Sequence, residues 1–316
     1  MKKLYLAVAL AVVFVSWTSA AMQPQPDCTV TLKPKDSIQK AIDEVAPGAV
    51  ICLEEGVWND GFLIQKDITI RGAGPDNTII RLSAIAWAEL PISVVIQGLS
   101  VVYVLVRGPI RVTLQHAHIL KDGLYIVGDA TVDLFRVTIL PSGFGLILFG
   151  QVTVTLTDSQ VIGAGLGGIA VLGGGARLSL VNSRVLDNSI GISAGVGEQT
   201  MHITLERSVI VGNSWIGLVA GGLANIEIRE STIEDNGTDP QICGVTVCPG
   251  IEVGDQAKVV ISNSRIAGNW DWGITAILRK CGYERDEFDG TIVFEGENTI
   301  TGNNRSGRFV GEVCLP

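Results

Sequence analysis

The stretch VTLTDSQVI at residues 154–162 returns along the chain in altered form, as LSLVNSRVL at 178–186, ITLERSVIV at 203–211, IEIREST at 226–232 and VVISNSRIA at 259–267. Each copy alternates apolar and other residues, which predicts a β-strand with one buried face. Each copy also places a serine at an equivalent position, namely Ser159, Ser183, Ser208, Ser231 and Ser264. A strand motif that returns at nearly fixed spacing predicts repeated units that stack on one another.

A second strand motif, glycine followed by apolar-x-apolar, accompanies the first. It starts at Gly123, Gly145, Gly168, Gly191, Gly217, Gly250 and Gly273, in steps of 22, 23, 23, 26, 33 and 23 residues. Asparagines close the first half of successive repeats at Asn188, Asn213, Asn236, Asn269 and Asn303, and glycines follow the second half at Gly128, Gly150, Gly174, Gly197, Gly222 and Gly254. Both residue types tolerate the dihedral angles of tight corners, and a side-chain amide can satisfy backbone groups there. The pattern predicts an all-β solenoid that rises about 4.8 Å per rung.

Two segments near the start, SIQKAIDEVAPGAVICLEEGVW at residues 37–58 and FLIQKDITIRGAGPDNTII at 62–80, resemble the opening of right-handed parallel β-helix proteins of the pectin-lyase-like superfamily. The resemblance extends roughly from Cys28 to Asn304. It implies a single-stranded right-handed parallel β-helix of about ten or eleven rungs. It implies no single activity, because the superfamily includes lyases, hydrolases, esterases, epimerases, adhesins and non-catalytic accessory proteins.

The chain divides into four predicted parts. Residues 1–21 combine Lys2 and Lys3 with an apolar run and small residues, which predicts a secretory signal peptide, with a retained membrane anchor as the alternative. Residues 28–50 hold a strand and a capping helix, for which we expect Asp36 as the N-cap and Gln39 as the second half of a capping box. Residues 51–304 are predicted to form the β-helix, and residues 305–316 a C-terminal tail.

Charge and cysteine content indicate the setting of the protein. The formal net charge of −9 argues against nucleic acid as a partner, since phosphate binding needs clustered Lys and Arg. Six cysteines in an exported chain predict disulfides, and proximity along the coil favours Cys28–Cys52, Cys243–Cys248 and Cys281–Cys314. We expect an exported monomer in the periplasm, on the cell surface or outside the cell, without membrane insertion once the signal peptide is removed.

Two kinds of segment depart from the regular pattern. Residues 92–106 and 145–156 are apolar on both predicted faces, which indicates either packing under another segment or an exposed patch that contacts a protein or a membrane. Insertions at residues 237–249 and 279–290 lengthen two repeats. Insertions in a solenoid project from a face, and such loops often carry binding surfaces.

Three tryptophans form the candidate ligand site. Trp215, Trp270 and Trp272 occupy the same bend of the repeat, beside Asp271 and Glu252. Indole rings stack on sugar faces, and carboxylates accept hydrogen bonds from sugar hydroxyls. These five residues are therefore the predicted polysaccharide-binding site, and the alternative is that the tryptophans form local core beneath the two insertions.

Catalytic sets are less apparent. The outward row of the second strands, Tyr125, Ile147, Ala170, Ser193, Val219, Glu252 and Thr275, offers one carboxylate, whereas a hydrolase needs two and a lyase needs a base. The superfamily's catalytic motifs are incomplete, and the segment from Arg107 to Arg111 is one residue shorter than that of pectate lyases. The leading hypothesis is a non-catalytic exported protein that binds polysaccharide or another cell-surface partner, such as a surface protein, along the face that carries the insertions. A lyase that uses Glu252, Asp271, Arg279, Lys280 and the acidic loop is one alternative, and a structural or accessory surface protein is another.

Neither a metal nor a cofactor is predicted. His116 and His118 form a His-x-His pair without a third ligand, and His202 stands alone in the sequence. The acidic loop residues Glu284, Asp286, Glu287 and Asp289 suggest only a weak calcium site, because their spacing does not match a calcium-binding loop.

Overall fold

The computed structural model describes residues 27–196 and 199–316, so the predicted signal peptide at 1–21 lies outside the described range. Within these residues all 29 strands pair in parallel and wind into one coil of about eleven turns. The predicted all-β, right-handed parallel solenoid is confirmed. In the same part of the chain, no helix is long and apolar enough to span a membrane.

Each full rung contributes to three parallel sheets, which we name A, B and C in chain order. Sheet A contains Val30–Leu32, Ala49–Leu53, Ile68–Arg71, Ile92–Gln97, the first parts of Ile110–Gly128 and Thr131–Ile139, then Thr153–Thr157, Arg177–Val181, Met201–Glu206, Ala224–Arg229, Lys258–Ser262 and Thr291–Glu295. Sheet B contains Gly56–Trp58, the first parts of Thr78–Trp87 and Ser100–Arg107, the middle of Ile110–Gly128, the second part of Thr131–Ile139, then Gln160–Ile162, Arg184–Leu186, Val209–Val211, Thr232–Glu234, Arg265–Ala267 and Thr299–Thr301. Sheet C contains Phe62–Ile64, the last parts of Thr78–Trp87, Ser100–Arg107 and Ile110–Gly128, then Phe144–Gly150, Gly167–Leu172, Ile190–Val196, Ile216–Ala220, Ile251–Val253, Ile274–Ala276 and Val313–Cys314.

One continuous core fills the coil. Every sheet points alternate apolar side chains inward, such as Val154 of sheet A, Val161 of sheet B and Ile169 of sheet C, all of which are buried. Because each rung alone has too little apolar surface to fold, stacking of rungs provides the stability. The outward positions of the strands are consequently free to carry function.

Two ladders of polar side chains stabilise the corners, as the repeat predicts. Asn188 donates its backbone N–H and its side-chain amide to Oδ1 of Asn213, at 3.0 and 3.1 Å, and Asn213 does the same to Asn236. Serines form the corresponding ladder between sheets A and B, where Oγ of Ser183 accepts from the backbone N–H of Ser159. Buried backbone groups at these corners are thereby satisfied.

The glycines that start the sheet C strands serve close packing. A Cβ on Gly191 would lie 2.3 Å from the carbonyl oxygen of Gly217 and 2.9 Å from the side-chain nitrogen of Asn213. The glycines after sheet C largely have positive φ as expected, for example +105° at Gly150, but Gly254 does not. The residue before each ladder serine also adopts positive φ without being glycine, as at Asp158, where φ is +50°.

The helix Ile38–Glu44 packs against Phe62–Ile64 and buries Ile38 and Ile42. Its N-cap is Ser37, whose side chain accepts from the backbone N–H of Lys40, so the prediction of Asp36 was wrong by one residue. Gln39 does not complete a capping box, because its Oε1 accepts the backbone N–H of Leu63 at 2.7 Å. The glutamine thus satisfies an edge group of the first sheet C strand, which explains why the local capping pattern misled the prediction.

Three disulfides join the cysteine pairs that the sequence predicts, Cys28–Cys52, Cys243–Cys248 and Cys281–Cys314. The Cys243–Cys248 bond lies in the insertion at residues 237–249, which also contains the short helix Pro240–Cys243. Cys281 belongs to a 3₁₀ helix, Arg279–Cys281, in the second insertion, and its bond ties that insertion to the last strand of sheet C. Both insertions are therefore covalently restrained.

Candidate functional site

The predicted site residues lie at the C-terminal end of the coil, where the tail folds over them. Asp271 is fully buried, and its carboxylate accepts the backbone N–H of Cys248 at 2.7 Å. It also pairs with the guanidinium of Arg308 from the tail. Arg308 donates in turn to the carbonyl oxygen of Thr246, so one carboxylate and one guanidinium connect the coil, the first insertion and the tail.

The three tryptophans differ in accessibility. Trp272 is only 4% exposed, stacks on Phe309 with 4.7 Å between ring centroids, and donates its indole N–H to the carbonyl oxygen of Cys281. Trp215 is half-buried and donates to the carbonyl oxygen of Val247, while Trp270 is half-buried as well. Trp272 and Asp271 are therefore buried, whereas Trp215 and Trp270 are partly accessible, and the binding role of these four residues stays a prediction.

Glu252 lies beneath the second insertion. Its Oε2 accepts the phenol O–H of Tyr283 at 2.8 Å. Burial raises the pKa of Glu252, and the Tyr283 hydrogen bond offsets this only in part. Burial, reinforced by the charge of Glu252, also raises the pKa of Tyr283 well above its ordinary value. The pair is a covered contact between the coil and the insertion.

The alternative lyase residues are not brought together as one open site. Asp271 is paired with Arg308, Glu252 with Tyr283, and Arg279 with Asp286 of the acidic loop. Arg279 and Lys280 line a cavity of about 620 Å³ with Asp286. Among the described residues, no group of three His, Cys, Asp or Glu side chains is placed to hold a metal ion.

A second surface, which the sequence analysis missed, lies on the outward face of sheet A. We call it the sheet A groove, a depression of about 170 Å³ lined by His202, Ile203, Thr204, Asn225, Ile226, Glu227, Lys258 and Val260. The strand register places Asn225 between His202 and Lys258 in one row, and Glu227 between Thr204 and Val260 in the next. Two rows of outward side chains thus present a histidine, an amide, an ammonium, a hydroxyl and a carboxylate to solvent.

Positive charge extends the groove along the coil. Arg177 is exposed and lies directly opposite His202 in the register, one rung nearer the N-terminus. Arg229 pairs with Glu227 at the side of the groove. Ser179 and Thr155 continue the hydroxyl row of Thr204 on earlier rungs. The surface can therefore donate hydrogen bonds to sugar hydroxyls and accept hydrogen bonds from them, and its cations can pair with an anionic group.

The sequence did contain a signal for this groove. His202, Asn225 and Lys258 each precede the apolar-x-apolar core of the first strand motif in consecutive repeats. The outward row of the second strands is mostly apolar, and the chemically richer row is that of the first strands. The same alignment of the first strands would have placed His202 beside Arg177 and Asn225, so this histidine is not isolated.

Comparison with known proteins agrees with this architecture. The sequence profile of a family described as "Right handed beta helix region" matches residues 122–312, more than half of the chain. The chain belongs to the right-handed β-helix family. No curated protein matches this β-helix by sequence.

Several solved structures are similar to the β-helix, and the similarity covers most of the chain. The A-module of mannuronan C-5 epimerase AlgE6 from Azotobacter vinelandii gives a TM-score of 0.62 at 13% identity, and the AlgE4 A-module of the same organism gives 0.58 at 15%, each over 88% of this chain and 94% of the module. An alginate lyase from Paenibacillus sp. strain FPU-7 gives 0.50 at 16% identity, over 91% of this chain and all of the lyase chain. At these identities, the similarity demonstrates the shared fold alone.

Proposed function

We propose that the β-helix is an exported protein that binds an acidic polysaccharide in the sheet A groove. The observation that carries this proposal is the row formed by Arg177, His202, Asn225 and Lys258, which occupy the same outward position on four consecutive rungs. Such a row offers a polymer lying along the coil one polar side chain about every 4.8 Å.

The charges in this row select for an anionic ligand. Arg177 and Lys258 are three rung steps apart, about 14 Å, and both are exposed. The protein as a whole carries a formal charge of −9, so a positive row is a local departure from its average. A guanidinium or ammonium group forms charge-assisted hydrogen bonds with carboxylates, and the hydroxyl and amide groups between them suit sugar hydroxyls.

The comparisons and the disulfides support the same proposal. The similar structures include enzymes described as a mannuronan epimerase and an alginate lyase, and mannuronan and alginate are polysaccharides with carboxylate groups. Three disulfides favour an oxidising compartment, in keeping with an exported protein. Trp215 and Trp270 are proposed as a separate, weaker contact at the C-terminal end.

The test is binding of the purified protein to alginate and to polygalacturonate by affinity electrophoresis, with dextran as the neutral comparison. Arg177→Ala and Lys258→Ala should each weaken binding to the acidic polymers about tenfold, because each removes a charge-assisted hydrogen bond. Arg184→Ala is the matched control, since Arg184 is exposed on sheet B of the Arg177 rung. Equal binding by all three variants would refute the groove assignment.

Lyase chemistry is the second candidate, and the presence of His202, Glu227 and Lys258 in one groove favours it. A lyase needs a base to remove a proton from the uronate and a cation to neutralise its carboxylate, and this groove contains both types of group. Incubation with alginate should then give unsaturated products that absorb in the ultraviolet. Loss of that signal in His202→Ala, with alginate binding retained, would identify His202 as the catalytic group, whereas binding by the wild type without products would leave the recognition role.

A further inference from the structure

Four consecutive rungs each present one aromatic side chain on the outward face of sheet C. Trp87, Tyr103, Tyr125 and Phe149 come from successive strands of that sheet, and we call them the aromatic strip. Trp87 is 42% and Phe149 56% exposed, while the two tyrosines are half-buried. The tyrosine rings contact each other, with 5.4 Å between centroids.

The surroundings of the strip are mostly apolar. Burial raises the pKa of Tyr103, and the charges of Tyr125 and Asp122 add to this effect, so one carboxylate lies near the strip. The strand register places aliphatic side chains beside the rings on the same face, namely Ile85, Leu105, Val127 and Ile147, with Leu172 one rung beyond Phe149. One charged group belongs to this set of outward positions, the Arg107 guanidinium, which lies 5.6 Å from the centre of the Trp87 ring. The largest exposed apolar patch of a monomeric protein often has a function, and this face is a candidate for such a patch.

The outward face of sheet C is covered near the C-terminal end of the coil and open to solvent at the aromatic strip. Near the C-terminus, Glu252 occupies the same outward row as Tyr125, and there Tyr283 of the second insertion lies over it. At the strip, by contrast, Trp87 and Phe149 remain open to solvent. Tyr103 and Leu105 of the apolar segment at residues 92–106, and Ile147 and Phe149 of the segment at residues 145–156, lie on this outward face, where Phe149 is exposed and the other three are half-buried.

The size of the patch limits what can cover it. The four rungs of the strip and the Leu172 rung, at about 4.8 Å each, and four residues at about 3.3 Å give a face of about 24 by 13 Å, or about 300 Å². A stable dimer buries about 800 Å² on each partner, so a second copy of this chain would need far more surface than the strip provides. A single linear polymer chain lying along the axis fits these dimensions.

We propose that the aromatic strip binds an uncharged polysaccharide chain, whose sugar rings stack on Trp87, Tyr125 and Phe149. Sugar rings carry flat C–H faces that pack on aromatic rings, and the tyrosine hydroxyls can bond to sugar hydroxyls. The strip has one cation, Arg107, and a nearby carboxylate, Asp122, in place of the row of cationic and polar side chains in the sheet A groove, which favours an uncharged ligand over an acidic polymer. The β-helix would then hold two polysaccharides of different charge on two faces, and this inference does not depend on the groove.

The experiment is co-sedimentation of the full chain with insoluble cellulose, chitin and β-1,3-glucan, with alginate binding measured on the same samples. Trp87→Ala with Phe149→Ala should weaken binding to a neutral polymer at least tenfold and leave alginate binding unchanged. Phe294→Ala is the control, because Phe294 is 40% exposed on the last strand of sheet A, outside the strip. Circular dichroism and thermal unfolding of each variant establish that it folds.

Three outcomes would overturn the proposal. The wild-type protein could fail to sediment with any neutral polymer, or the double variant could bind as the wild type does. Alternatively, sedimentation velocity could show self-association that the double variant abolishes, which would make the strip a protein interface. Phe149→Tyr gives a further check, because it keeps a flat ring and should retain binding.

Discussion

The Glu312 carboxylate accepts hydrogen bonds from both the backbone N–H and the side-chain amide of Asn303, at 3.2 and 3.1 Å. The same two groups of every earlier ladder asparagine, its backbone N–H and its side-chain amide, donate hydrogen bonds to Oδ1 of the next asparagine. Glu312 thus accepts the two donors of Asn303 in the way that a ladder asparagine accepts those of the asparagine before it. The ladder ends on a carboxylate from the tail, which also accepts the backbone N–H of Gly302.

Glu312→Ala is expected to destabilise the protein by about 1–3 kcal/mol, because it leaves the terminal donors of the ladder without a partner. Urea unfolding followed by circular dichroism measures the change. Glu312→Gln keeps an acceptor oxygen and should recover most of the loss. If the alanine variant unfolded at the wild-type urea concentration, the carboxylate would not be a functional end cap.

Glu252→Gln is expected to change the pH dependence of stability. The folded-state pKa of Glu252 is raised above 4.5, chiefly by burial, so its contribution is fully present below that pH and is lost as pH rises through the raised value. A glutamine keeps an acceptor for Tyr283 but cannot ionise. The variant should therefore gain stability relative to the wild type at pH 7, and this gain should disappear near pH 4.

Unfolding titrations at several pH values between 4 and 8 test this expectation. Glu234→Gln is a suitable control, since Glu234 is a sheet B glutamate that pairs with Arg265 outside the second insertion. A constant difference between Glu252→Gln and the wild type across that range would contradict the assignment of the ionisation to Glu252.

Arg308→Ala is expected to cost about 3 kcal/mol of stability. Removing one partner of a buried ion pair leaves the other charge uncompensated, which costs about 3–5 kcal/mol, and the partial exposure of Arg308 places the value at the lower end. Asp271→Asn combined with Arg308→Ala removes both charges and should be less destabilised than Arg308→Ala alone. Denaturant unfolding of the three proteins gives this comparison, and equal stability of the single and double variants would exclude a buried-charge penalty.

The sequence predicted the features that repeat. Asn213 and Ser183 could be assigned to ladders because each returns at the repeat spacing, and a corner of a parallel coil needs such a side chain. The cysteine pairs followed from closeness along the same coil. Periodicity therefore determined the sheets, the corners and the restraints on the insertions.

Features that occur once were harder to predict. Trp272 looks like a surface aromatic beside a corner, and nothing local indicates that Phe309 of the tail stacks on it. Gln39 fits a capping box, yet its amide bonds to Leu63 in the coil. Both contacts join residues that are distant in sequence and lie in different segments. The repeat spacing does not specify where a segment outside the regular rungs packs against the coil.

The strand register also determines how the length of the coil depends on the number of rungs, because each rung adds one strand spacing of about 4.8 Å. Thr153 and Arg177 lie opposite each other on neighbouring rungs, so this rung takes 24 residues, counted as 177 minus 153. The rung from Asn225 to Lys258 takes 33, counted as 258 minus 225, yet each rung adds the same strand spacing to the coil. Equivalent side chains on successive rungs are therefore separated along the coil axis by multiples of about 4.8 Å. This spacing sets the distances between the side chains of each proposed binding surface.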